Sequence, residues 1–170
     1  MTPRPSATTI PTADASTVYQ EGIVAGLIGA ATVAVWFLIV DTVSGRPFYT
    51  PTVLGTALFQ RGVGLGGPEI LAPSLGMVAM FTWVHGLVFA GLGGIAARLL
   101  AMAERNPSLG FGVLLLFVVF QFGFTLAAML FAAPVLHALA WHAVLVANLL
   151  AATTMGLYFR ARHPGLRVSP

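Results

Sequence analysis

The chain contains no cysteine and no lysine, and only 8% of its 170 residues are charged. Without cysteine there are no disulfides, no thiolate metal ligands and no thiol nucleophile. With a hydrophobic fraction of 58% and a mean hydropathy of +0.91, a water-soluble domain would also lack the polar residues needed to cover its surface. Lipid is expected to cover it instead. Complete chemical motifs are missing as well. Gly62, Gly64, Gly66 and Gly67 are followed by no Lys-Ser/Thr pair, so they form no phosphate loop. No nucleophile, base and orienting group are spaced to meet as a hydrolytic site, and the chain is read as non-enzymatic.

What the chain does have is four long apolar runs, over residues 22–43, 74–100, 109–131 and 135–159. At ~1.5 Å per helical residue each can cross a hydrocarbon layer ~30 Å thick. The expected fold is therefore all-α: a polytopic membrane protein with four transmembrane helices in a bundle, occupying residues 21–163. Residues 1–20, rich in Thr, Ser, Pro and Ala, read as a disordered polar tail, and residues 164–170 as a short second tail. The first run is longer than the core of a signal peptide and no small-residue cleavage pattern follows it, so it is expected to stay in the mature protein.

Charge gives an orientation. Four crossings put both termini and the second loop on one side, where Arg4, Arg98, Arg105, Arg160, Arg162 and Arg167 lie; the first loop holds Arg46 and Arg61. This asymmetry predicts an inner-membrane protein with both termini in the cytoplasm. It also explains the net charge of +3 without a nucleic-acid partner.

Prolines punctuate the runs. Pro73, Pro107 and Pro134 stand where helices should begin, a position at which the missing N–H costs nothing, and Asn106 would cap the third. In the first loop Thr50 and Pro51 introduce Val53, Leu54, Ala57 and Leu58, one apolar face of a helix too short to span. That helix is expected to lie in the outer interface or dip into it, as a connector or a lid. Asp41, where the first run ends, is expected to pair with Arg46, and Glu21 to favour the N-terminal dipole of the first helix.

Small residues recur every fourth position: Gly22, Gly26, Ala30 and Ala34 on the first run, Gly86, Ala90 and Gly94 on the second, Ala143, Ala147 and Ala151 on the fourth. In lipid there is no hydrophobic drive between helices, so such stripes are expected to carry close backbone packing or self-association. The second and fourth runs also share a Trp-His-Ala pattern, Trp83, His85, Ala90 and Trp141, His142, Ala147, a faint sign of two tandem hairpins.

Polar side chains within the runs raise the functional question. His85, Gln121, His142 and Asn148 could form an interhelical hydrogen-bond network. Helical phase puts His142 and Thr153 on one face of the fourth helix and Asn148 on another, only one of which can point at the bundle axis. His85 and His142 lie within ~6 Å of each other in depth on parallel helices. The leading expectation is a structural or accessory subunit, with no cofactor, that associates with the lipid bilayer and with other membrane subunits or itself. The alternative is an electron-transfer subunit holding b-type haem between His85 and His142 as axial ligands. A third reading is a small-solute or proton carrier with Gln121 and Asn148 along the path.

Overall fold

A computed structural model describes residues 15–61, 71–103, 118–119, 121–123, 125–126 and 141–163. The described residues are 89% helical and contain no strand. Four helices are delimited: α1 (Ala15–Val43), α2 (Tyr49–Phe59), α3 (Leu75–Ala103) and α4 (Trp141–Arg162). The described residues of the run 109–131 are also helical. By length and composition, α1, α3 and α4 can each cross a membrane.

α1 is central. It packs along α3 on one side and α4 on the other, antiparallel to both. Against α3, Gly22 meets Gly93, Gly26 meets Phe89 and Ala30 meets His85, so four residues forward on α1 match four residues back on α3. Against α4, Glu21 meets His163, Gly29 meets Met155 and Trp36 meets Ala143. Two apolar clusters result. Ala25, Ala30, Phe89, Ala97, Ala151, Ala152, Met155 and Phe159 fill the half nearer the start of α1. Phe37, Val53, Ala57, Ala143, Val144 and Ala147 fill the other half, where α2 joins the packing.

The glycines of α1 set how closely the helices approach. A Cβ added to Gly22 would stand 2.6 Å from the Gly93 carbonyl oxygen and the Gly94 Cα, and one on Gly26 would collide with the Phe89 carbonyl. Gly29 leaves the space that the fully buried Met155 occupies. In α3 the tight position is Gly93, whose Cβ would strike the Gly22 carbonyl. This corrects part of the expected stripe. A Cβ on Gly86 meets nothing within 4 Å, and one on Gly94 would make only ordinary contact with the Tyr19 ring at 3.8 Å. The contact surface on α3 runs through His85, Phe89 and Gly93 and also takes in Ala90 and Gly94, whose Cα atoms lie 2.9 and 2.6 Å from where a Cβ on Gly26 or Gly22, respectively, would stand, while Gly86 is off it. A bulky Phe belongs to the interface because α1 presents Gly26 and Gly29 opposite it, and His85 faces the Ala30 carbonyl.

The helix ends differ from expectation in three places. α1 begins at Ala15, so residues 15–20, assigned above to the polar tail, form its first turns. Val18 packs on the first cluster and Tyr19 meets Arg98, contacts that hold this polar segment in the helix. Pro73 lies before α3, outside it; Ser74 is the N-cap, its hydroxyl accepting from the Met77 N–H. Pro51 is the third residue of α2, still in the first turn where no N–H is required. The expectations for Asn106, Pro107 and Pro134 lie outside the described residues.

α1 ends in a Schellman turn. Gly45 adopts φ 70°, its N–H donates to Thr42 and the Arg46 N–H to Asp41. Phe48, also left-handed at φ 63°, then starts α2, so the chain reverses within a few residues. α2 packs chiefly on α3 with Thr52, Val53 and Thr56 buried, and a Cβ on Gly55 would come within 2.6 Å of the Met77 carbonyl.

Candidate functional site

The polar side chains gather at three levels along α1. At its C-terminal end, Asp41 is 4% exposed and faces the start of α2. Its Oδ2 accepts from the Thr50 N–H and its Oδ1 from the Thr50 hydroxyl, both at 2.7 Å. A carboxylate of α1 thus caps α2, supplying an acceptor for an N–H left over at every helix start and favouring its positive end. Close by, Thr52 accepts from the Ser74 N–H and so ties α2 to the beginning of α3. The expected Asp41–Arg46 pair is absent. The Arg46 guanidinium lies 4.2 Å over the Tyr49 ring, a cation–π contact that keeps it at the surface while Thr50 satisfies the buried carboxylate.

The middle level holds the residues singled out by the sequence. His85 stacks between Phe81 and Phe89, with ring centroids 5.5 and 4.6 Å away, and its Nε2 lies 3.3 Å from the Ala30 carbonyl oxygen. A carbonyl only accepts, so Nε2 must carry the proton in this bond. Beside it the Thr32 and Thr154 hydroxyls are 3.1 Å apart, and the Trp36 indole N–H donates to the Ala143 carbonyl at 2.9 Å. Asn148, 7% exposed, donates to Gln121 Oε1 at 2.9 Å.

Of the four residues proposed as a network, the structure joins two, Gln121 and Asn148. His85 bonds to α1 instead. His142 is exposed next to Trp141, their rings edge to face at 6.1 Å, and no contact among the described residues joins it to His85, Gln121 or Asn148. Of the two faces of α4, the one carrying Asn148 points inward, while Thr153 and His142 point out. For iron chemistry the consequence is geometric: with Nε2 directed at Ala30, His85 could offer a metal only Nδ1. Among the described residues no group of three or more His, Asp or Glu is gathered in the manner of a metal site.

The third level, at the start of α1, collects charge. Glu21 Oε2 is 2.9 Å from His163 Nε2 and its Oε1 is 3.9 Å from Arg162 Nε. Arg162 Nε also reaches the Tyr158 hydroxyl at 3.4 Å, and Arg98 Nη1 donates to the Tyr19 hydroxyl at 3.1 Å. Glu21 is the seventh residue of α1, past the first turn where the dipole acts, so its role is to join α1 to α4 and not to stabilise its own helix end. The sequence contained this signal: antiparallel neighbours put Glu21, near the start of α1, among the arginines at the end of α4. Compared with protein-family models, curated proteins and solved structures, the chain matches none.

Proposed function

We propose that this protein is an integral membrane accessory subunit, a helical scaffold that performs no catalysis of its own and associates with other membrane proteins. One observation carries the reading. Among the described residues no buried side-chain nitrogen or oxygen lacks a hydrogen-bond partner, and the bonds of Trp36, Asp41, His85 and Asn148 each join one helix to another. Polar groups inside a membrane are retained where they serve a purpose, and here that purpose is to fix helix against helix. The outward faces support the same reading. α3 is clad by α1 and α2 but leaves Trp83, Leu87, Val88 and Ile95 more than half exposed, an apolar surface suited to lipid or to a neighbouring transmembrane helix.

In this reading the run 109–131 is a fourth crossing that completes a four-helix bundle, and α2 lies in the outer interface as a packed cap over α1, α3 and α4. The arginine-rich end faces the cytoplasm of an inner membrane, by the positive-inside rule. Reporter fusions test the orientation: cytoplasmic signal at the C-terminus and external signal at Gly66 are expected, and a cytoplasmic signal at Gly66 overturns it. The function is tested by placing photo-crosslinking residues at Trp83 and Leu87 in the native membrane. Adducts with a second, defined membrane polypeptide are expected. Adducts with lipid alone at both positions contradict the accessory role.

A further inference from the structure

The charged end of the bundle is more than an orientation signal. Arg98, Arg160 and Arg162 are all exposed there, while the described carboxylate of that end, Glu21, is shared between His163 and Arg162. Two of the arginines are held by tyrosines from the helix ends: the Tyr19 hydroxyl accepts from Arg98, and the Tyr158 hydroxyl accepts from Arg162, whose guanidinium also lies 5.9 Å from that ring. A guanidinium has five N–H donors. Arg98 directs one at Tyr19, and its remaining donors and those of Arg160 meet no carboxylate among the described residues. The sequence places Arg105 and Arg167 shortly beyond α3 and α4. The other end is different in kind: Arg46 stacks on Tyr49 and the carboxylate of Asp41 is consumed by Thr50.

We propose that this tyrosine-braced arginine rim binds the phosphate of anionic phospholipids in the adjoining leaflet. The chemistry fits at each point. Tyrosine prefers the boundary between hydrocarbon and headgroups, and places the guanidinium bonded to it at headgroup level. Arginine recognises phosphate with paired N–H groups at fixed geometry and remains charged at every relevant pH. A membrane-embedded rim meets lipid phosphate at a far higher local density than any soluble phosphate. The inference rests on the membrane reading and is independent of whether the protein is an accessory subunit.

The test uses the full-length protein reconstituted with equal amounts of phosphatidylglycerol and phosphatidylcholine, re-extracted in mild detergent, and the lipid that remains bound is quantified. One arginine at headgroup level favours an anionic lipid about fivefold, so the bound fraction should be enriched in phosphatidylglycerol by at least that factor. Arg98→Gln combined with Arg160→Gln should lower the enrichment severalfold, with the helical circular-dichroism signal unchanged. Arg160→Gln alone, which breaks no described contact, should lower the enrichment partway, and Arg46→Gln at the opposite end should leave it intact. A bulk ratio in the wild type, full enrichment in the double variant, or displacement of the lipid by millimolar inorganic phosphate would each overturn the proposal.

Discussion

Asp41 and Thr50 are joined twice, the carboxylate of one receiving both the backbone N–H and the hydroxyl of the other at 2.7 Å, in a setting that leaves Asp41 only 4% exposed. The pair closes the turn between α1 and α2 and holds α2 over the ends of the longer helices. Asp41→Ala removes both acceptors and leaves a buried N–H at a helix start, so it should cost about 2–3 kcal/mol. Asp41→Asn should cost less, because the amide oxygen can still accept the N–H while the Thr50 hydroxyl rotates to accept from the new amide. Thr50→Val, which removes only the hydroxyl, should fall between wild type and Asp41→Ala. Unfolding of the purified protein in mixed micelles gives the order; equal stability of Asp41→Ala and wild type would show that this carboxylate does not cap α2.

Glycine substitutions should divide by sign. Gly26→Ala and Gly93→Ala push a Cβ into backbone across the α1–α3 contact and should destabilise by about 1–3 kcal/mol. Gly86→Ala and Gly91→Ala enter open space within a helix, so they should be neutral or stabilise by up to about 1 kcal/mol. Melting temperatures in one detergent decide it. A uniform effect across all four would mean that α1 and α3 do not meet along the described line.

How far the sequence could be read is clearest at this same contact. The long apolar runs announced α1, α3 and α4, since a helix that must cross lipid needs length and hydropathy and little else. The interface between α1 and α3 is legible only in part: Gly22, Gly26, Ala90 and Gly94 lie on it and Gly86 does not. Small residues mark it, but on α3 it also takes in His85, which faces Ala30, and Phe89, which fits because Gly26 and Gly29 lie opposite. Such complementarity belongs to pairs of helices and cannot be read from either alone. The Asp41 cap was within reach: Gly45 and Pro47 signal a reversal, and a carboxylate at the end of one helix is then delivered to the start of the next. Proximity in sequence points to Arg46 as the partner instead, but its guanidinium avoids burial by lying on Tyr49. Gln121 and Asn148 could be named as polar residues in apolar runs, but whether they would meet depended on helix rotation, which their identities do not encode.

The Gln121–Asn148 bond can be measured as a coupling. Single replacements Gln121→Leu and Asn148→Leu and the double variant form a thermodynamic cycle, and the interaction should be about 0.6 kcal/mol and no more than ~1.7. Strict additivity would mean that the two side chains do not bond in the folded protein.

His85 separates packing from cofactor chemistry. As a group donating to the Ala30 carbonyl between two phenylalanines, it should tolerate Gln with little loss and lose about 1 kcal/mol as Leu. Neither change should alter the absorption spectrum. A Soret band in the wild type, bleached by His85→Gln or His142→Gln, would make these residues haem ligands and overturn their assignment to packing and surface.

The accessory role is tested most directly by the native mass of the protein in its own membrane. Extracted in mild detergent and separated without denaturation, it should migrate in an assembly larger than any homo-oligomer and containing a fixed ratio of at least one other membrane polypeptide. When the protein is produced alone, that species should be missing while the helical bundle stays folded. The same mass in both preparations, accounted for by copies of this chain alone, would contradict the account.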